Sequence, residues 1–151
     1  VVAVDQCVAC HKGAETVRDI RITPVDIDGD GDVKEGIRAE ITTLQEKLGE
    51  AVMLYAKEVS GKPVIYDAHA YPYFFNDLNE NGLSDPDEAK FPNRYQSWTP
   101  RLLRAAYNYQ FLAKENGAYA HNPRYAIQLA YDSLEDLSSK AAVDMAGMTR
   151  P

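Results

Sequence analysis

From Glu35 to Ser60 the apolar residues Ile37, Ile41, Leu44, Leu48, Val52, Tyr55 and Val59 return every three or four positions. That is the period of one buried helix face, and Gly61 and Pro63 end it, which predicts a helix over 35–60. A second helix is predicted over 99–116: Thr99 is a good cap, Pro100 suits the first helical position, and Leu102, Leu103, Ala106, Tyr107, Tyr109 and Leu112 run up to Gly117. A third, over 122–138, opens on Asn122 and Pro123 and carries Ala126, Ile127, Ala130, Tyr131, Leu134 and Leu137. A short turn near Asp85–Lys90 would add a fourth piece. The apolar run Val64-Ile65-Tyr66 is too short to predict a sheet. The expected fold class is therefore all-α, a small helical bundle with long irregular loops, the longest over 62–98.

The 151 residues suit a single domain, 1–151, with 45% apolar and 26% charged residues as in ordinary globular chains. No apolar run approaches the roughly 18 residues of a membrane span. A net charge of −7 disfavours nucleic acid and anionic membranes as partners and favours cations or basic surfaces. No internal repeat stands out. Loops of the predicted length are uncommon in so small a domain unless something staples them.

Both cysteines fall in Cys7-Val8-Ala9-Cys10-His11. This spacing places two thiols one turn apart, where each can form a thioether with a haem vinyl group, with the next imidazole held beneath the iron. Segment 1–24 accordingly reads as a haem-attachment segment carrying one covalent haem c per chain, with His11 as proximal ligand. A redox dithiol would want a strand-helix-strand context that is lacking here. A Cys2His2 zinc site using His69 and His121 is formally open. No charged n-region or cleavage site precedes Cys7, so an export signal has been removed or the chain is a portion of a longer polypeptide.

The second axial ligand can come from His69, His121, Met53, Met145 or Met148. His121 directly precedes the capped helix start Asn122-Pro123, which would fix its backbone, and His69 lies in a tyrosine-rich stretch that could pack on a porphyrin. Met53 falls on a helix face and reads as core packing; Met145 and Met148 lie in a glycine-containing tail. Ligation by two imidazoles lowers the potential relative to His/Met, and it leaves one histidine to spare. That spare residue is structural, or it ligates a haem on another chain or an upstream segment.

Two acidic loops could hold calcium. In Asp26-Ile27-Asp28-Gly29-Asp30-Gly31-Asp32-Val33 the carboxylates Asp26, Asp28, Asp30 and Asp32 alternate and Gly31 takes the sharp turn. This is the front half of an EF-hand-type loop, 26–37, but Ile37 stands at its twelfth position and the nearest acid is Glu35. In the second loop Asp77, Asn79, Asn81, Asp85 and Glu88 occupy positions 1, 3, 5, 9 and 12, Gly82 is sixth, and Leu83 would offer its carbonyl. Isolated structural sites are expected rather than a paired-hand switch. Haem and calcium together would staple the long loops.

The motifs Cys7–His11, Asp26–Asp32, Tyr66-Asp67-Ala68-His69-Ala70-Tyr71-Pro72-Tyr73-Phe74-Phe75, Trp98–Tyr109 and Ala120-His121-Asn122-Pro123-Arg124-Tyr125 resemble the C-terminal part of polyhaem c-type cytochromes of bacterial extracellular and respiratory electron transfer. The resemblance implies histidine on both haem faces, with the His-Asn-Pro element as a distal-ligand segment. It departs from the family in having one haem motif where the family carries many. The expected function is an exported, periplasmic or extracellular, electron-transfer domain with other haem domains or redox proteins as partners. The alternative is a structural subunit of an extracellular filament or homo-oligomer in which haem and calcium hold protomers together, with ligation between chains. A haem reductase would need an open iron face; no other catalytic constellation is present.

Overall fold

The structure is a computed structural model that describes residues 3–21 and 23–151; Val1, Val2 and Ile22, part of the segment read as haem-attaching, lie outside the described residues. Helix α1 runs over Ile37–Glu58, strands β1 and β2 over Val64–Tyr66 and Phe74–Asn76, and helices α2, α3 and α4 over Pro100–Lys114, Ala118–His121 and Pro123–Ser138. The bundle is α1, α2 and α4, each packed on the other two, with α1 against α4 as the broadest contact.

The apolar stripe of α1 buries Ile41, Leu44, Leu48, Val52 and Tyr55. It meets Leu102, Ala105, Ala106 and Leu112 of α2 and Ala126, Ile127, Ala130, Leu134 and Leu137 of α4. Burying each such leucine or isoleucine is worth about 1.5–3 kcal/mol, so this three-way seam dominates the stability of the domain. Met53 packs against it, as do Met145 and Met148 from the tail. At Gly49 the Tyr109 ring lies so close that a Cβ would sit 2.8 Å from its Cε2.

The helix expected over 35–60 begins only at Ile37, because Gly36 holds an extended conformation at its N-cap. Thr99 Oγ1 accepts the Leu102 amide at 3.1 Å and Asn122 Oδ1 the Tyr125 amide at 3.1 Å, so both caps act as their residue types predict. Two features depart from the expected all-α bundle. Val64–Tyr66 pairs antiparallel with Phe74–Asn76, Ile65 facing Phe75; Val64 and Phe74 join the core that α1 lines, and Ile65 and Phe75 are almost wholly buried as well. A separate short helix, α3, precedes α4, so His121 ends one helix rather than standing free before another. The helical piece placed near Asp85–Lys90 is a turn with amides from Glu88 and Ala89 on the Asp85 carbonyl, and the regular 3-10 turn follows it at Phe91–Asn93.

Candidate functional site

The N-terminal segment winds into a helical turn: the Val8 amide donates to Val4 O, Cys10 to Cys7 O, and His11 to Cys7 O at 2.8 Å. Residues three apart on such a turn share a face, so Cys7 and Cys10, both free thiols, lie on one side with His11 following directly. His11 borders a cleft of about 600 Å³ with Cys10, Asp19, Arg21, Val33 and Lys34. Thr23 joins this cleft to an apolar cavity of about 620 Å³ walled by Val17, Ile20, Ile27, Ile37, Tyr119 and Ile127. Two thiols and an imidazole on one turn, beside apolar space, fit the donor set of a covalent haem c.

His69 and His121 do not line the His11 cleft among the described residues. His121 is 73% exposed, and its Nδ1 lies 3.1 Å from Glu115 Oε1. A carboxylate oxygen only accepts, so Nδ1 is the donor in this contact, and the tautomer it selects leaves Nε2 as the ring's ligand atom. Glu115 Oε1 also accepts the Gly117 amide at 2.9 Å, and a Cβ on Gly117 would sit 2.5 Å from the ring Cε1. The imidazole is thus clamped between a carboxylate and a bare glycine. His69 tops the β1–β2 connection, which Asp67 organises: its Oδ1 accepts the His69 and Ala70 amides at 2.7 and 3.1 Å, and its Oδ2 the Ser84 hydroxyl at 2.7 Å. The His69 amide and Ser84 hydroxyl hold the Asp67 carboxyl below its ordinary range.

The first acidic loop curls around Asp26, whose Oδ1 accepts the Gly29 amide at 2.7 Å and Oδ2 the Gly31 amide at 2.8 Å. Asp28 is fully buried; its Oδ1 accepts the Asp30 amide and its Oδ2 has no hydrogen-bond partner. Asp30 accepts from Asp32 and the exposed Asp32 from Lys34, each at 2.7 Å. Oxygens of Asp28, Asp30 and Glu35 lie within 4.8 Å of one another, as do those of Asp26, Asp28 and Glu40. Burial and repulsion from Asp28, Asp30 and Glu40 push Glu35 up to about 7, against the pull of Arg21. Carboxylates this crowded call for a counter-charge.

The second loop is built alike. Asp77 Oδ1 accepts the Asn81 amide at 3.2 Å and Oδ2 the Gly82 amide at 2.8 Å. Asp85 Oδ2 accepts from the side chains of Asn79 and Asn81, whose own carbonyls accept the Asn81 and Leu83 amides. Glu88 Oε1 accepts the Leu78 and Asn79 amides, and the buried Glu88 Oε2 is unpartnered. Gly31 and Gly82, sixth in their loops, have φ of 93° and 73°, a conformation glycine adopts without strain.

Three residues of these sites escaped the sequence reading: Glu40, Arg21 and Glu115. Glu40 had a signal, since an acid three after Ile37 and four before Leu44 falls on the buried face of α1, where a lone charge needs a partner. Arg21 provides one, its guanidinium meeting Glu40 Oε1 and the Val25 carbonyl.

Comparison with known proteins gives the same direction. Over 137 residues, 85% of this chain, it is 29% identical to C-type polyheme cytochrome OmcC of Geobacter sulfurreducens, and 28% identical to C-type polyheme cytochrome OmcB of the same species. The chain is homologous to a region of c-type polyhaem cytochromes. This polyhaem-cytochrome relative spans 15–16% of the length of those proteins. No protein-family model and no solved structure matches it. No helix among the described residues is long and apolar enough to cross a membrane.

Proposed function

We propose that this chain is an electron-transfer domain that carries one haem c on Cys7 and Cys10, with His11 as proximal ligand. The observation that supports this most directly is the Cys7–His11 turn, with both thiols free and on one face. Homology to polyhaem c-type cytochromes supports it independently. When bound, the haem supplies a one-electron iron couple whose potential follows from its axial ligands and exposure. Val17, Ile20, Ile37 and Tyr119 offer the apolar wall that excludes water from such a group. The role is carriage of electrons rather than conversion of a substrate.

His121 is the preferred distal ligand, supported by its fixed ring and outward Nε2. Its exposure favours a haem carried by another segment or another chain, which makes neighbouring haem domains the natural partners. His69 then remains on its hairpin as the spare. The two loops hold calcium, Asp26, Asp28, Asp30 and Glu35 in the first and Asp77, Asn79, Asn81, Leu83, Asp85 and Glu88 in the second. Covalent haem and calcium both suit a compartment outside the cytoplasm.

Mass spectrometry of the purified protein tests the attachment, and a spectroelectrochemical titration tests the function. The expected result is a chain heavier by one haem, neither thiol alkylatable, and a reversible one-electron wave. A colourless chain with both thiols alkylated would sink the proposal. A coloured chain whose haem does not cycle would turn the reading toward a structural subunit.

A further inference from the structure

We propose that Glu40, on the first turn of α1, is a ligand of the cation in the first acidic loop and closes that site as Glu88 closes the second. The inference rests on reading both loops as divalent-cation sites, and it names the residue that the sequence pattern lacks at position 12. Asp28 points to a ligand here: it is fully buried, belongs to both carboxylate groups of the loop, and leaves Oδ2 without any hydrogen-bond partner. A buried carboxylate oxygen without a donor is costly unless a cation meets it.

Superposing the roles of the two loops shows who completes the ring. The first residue of each, Asp26 or Asp77, accepts the amide of the sixth, Gly31 or Gly82, at 2.8 Å. The amides of the second and third residues then go to one glutamate oxygen. In the second loop these are Leu78 and Asn79, at 2.7 and 3.2 Å from Glu88 Oε1. In the first they are Ile27 and Asp28, at 3.0 and 2.9 Å from Glu40 Oε2. Each glutamate is buried; Glu88 keeps its other oxygen, Oε2, without a partner, whereas Glu40 Oε1 meets the Arg21 guanidinium. Glu40 comes fifteenth instead of twelfth because the chain inserts Gly36 and the start of α1 before returning. Oxygens of Asp26, Asp28 and Glu40 lie within 4.8 Å of one another, a span that one divalent ion bridges.

One group opposes this, and it supplies a test. The Arg21 guanidinium contacts Glu40 Oε1, so it stands where a cation would draw that oxygen. Arg21 also borders the His11 cleft, which links occupancy of the first loop to the haem-bearing segment. Cation and guanidinium compete for one carboxylate oxygen.

The experiment is calorimetric titration of calcium into the haem-loaded protein after stripping with EGTA. Wild type is expected to bind two ions per chain. Glu40→Gln keeps an oxygen for the Ile27 and Asp28 amides but loses charge, and should weaken one site about tenfold or more while sparing the other. Glu88→Gln should do the converse, and Arg21→Gln should tighten the first site. Two unchanged sites in Glu40→Gln would overturn the inference. Should Glu40→Gln lose helical circular dichroism, Arg21→Gln decides: tighter binding supports the inference and unchanged affinity overturns it. Absence of any calcium uptake by wild type would instead remove the cation reading of both loops.

Discussion

Glu115 and Gly117 determine how His121 can act, because one orients the ring and the other leaves room for it. Removing the carboxylate frees the imidazole to rotate and to lose its tautomer preference. Outer-shell partners of this kind are worth about 10–100-fold in ligand affinity, so Glu115→Ala should weaken distal ligation by that order. Carbon monoxide binding to the reduced, assembled protein should rise accordingly; equal binding in variant and wild type would exclude Glu115 as a residue that positions a His121 ligand. Gly29 is a second controlling position. Its φ is +82°, and a Cβ there would sit 2.7 Å from the Ala146 carbonyl of the tail. The backbone term alone predicts that Gly29→Ala costs about 1–3 kcal/mol in urea unfolding. The cysteines and His11 were legible because their chemistry is contiguous in the chain. Glu40 and Glu115 were not, since each acts across a fold-made gap.

Helices α2 and α4 begin where their caps said they would, because a cap is a local competition for the first free amides. Thr99→Ala and Asn122→Ala should therefore each cost about 1 kcal/mol, read as a lower denaturant midpoint at unchanged slope. The Asn122 variant has a further consequence, for Asn122 separates α3 from α4 directly behind His121. The β1–β2 hairpin was missed for the opposite reason. Three-residue strands joined by a seven-residue connection have no local stability, and they pair because Val64 and Phe74 find a place in the core that α1 lines. That same hairpin carries His69, held by Asp67 and the Ser84 hydroxyl.

The first acidic loop sits between the N-terminal segment that follows Cys7–His11, the start of α1 and the C-terminal tail. The Thr149 amide donates to Ile27 O, Arg150 pairs with Asp132 of α4, and the Cβ that Gly36 lacks would lie 2.2 Å from the Arg18 carbonyl. Ion binding there should stabilise all three at once. Chelation of calcium should lower the melting temperature, with linkage of about 2.7 kcal/mol per site when calcium is at a hundredfold its dissociation constant. The haem should stay attached throughout, since thioethers do not depend on folding. A melting temperature indifferent to EGTA would show that the loops hold themselves.

The order of residues by itself determined the contiguous Cys7–His11 motif, the three long helices with their caps, the front half of the first acidic loop and the full pattern of the second, because these depend on residues close together along the chain. The tertiary structure alone decided that Glu40 meets Asp26 and Asp28, that Glu115 turns Nε2 of His121 outward, and that two short apolar runs become a sheet. Those contacts join segments brought together by burial of the α1 face, and no periodicity along the chain encodes which polar atoms that burial leaves facing one another.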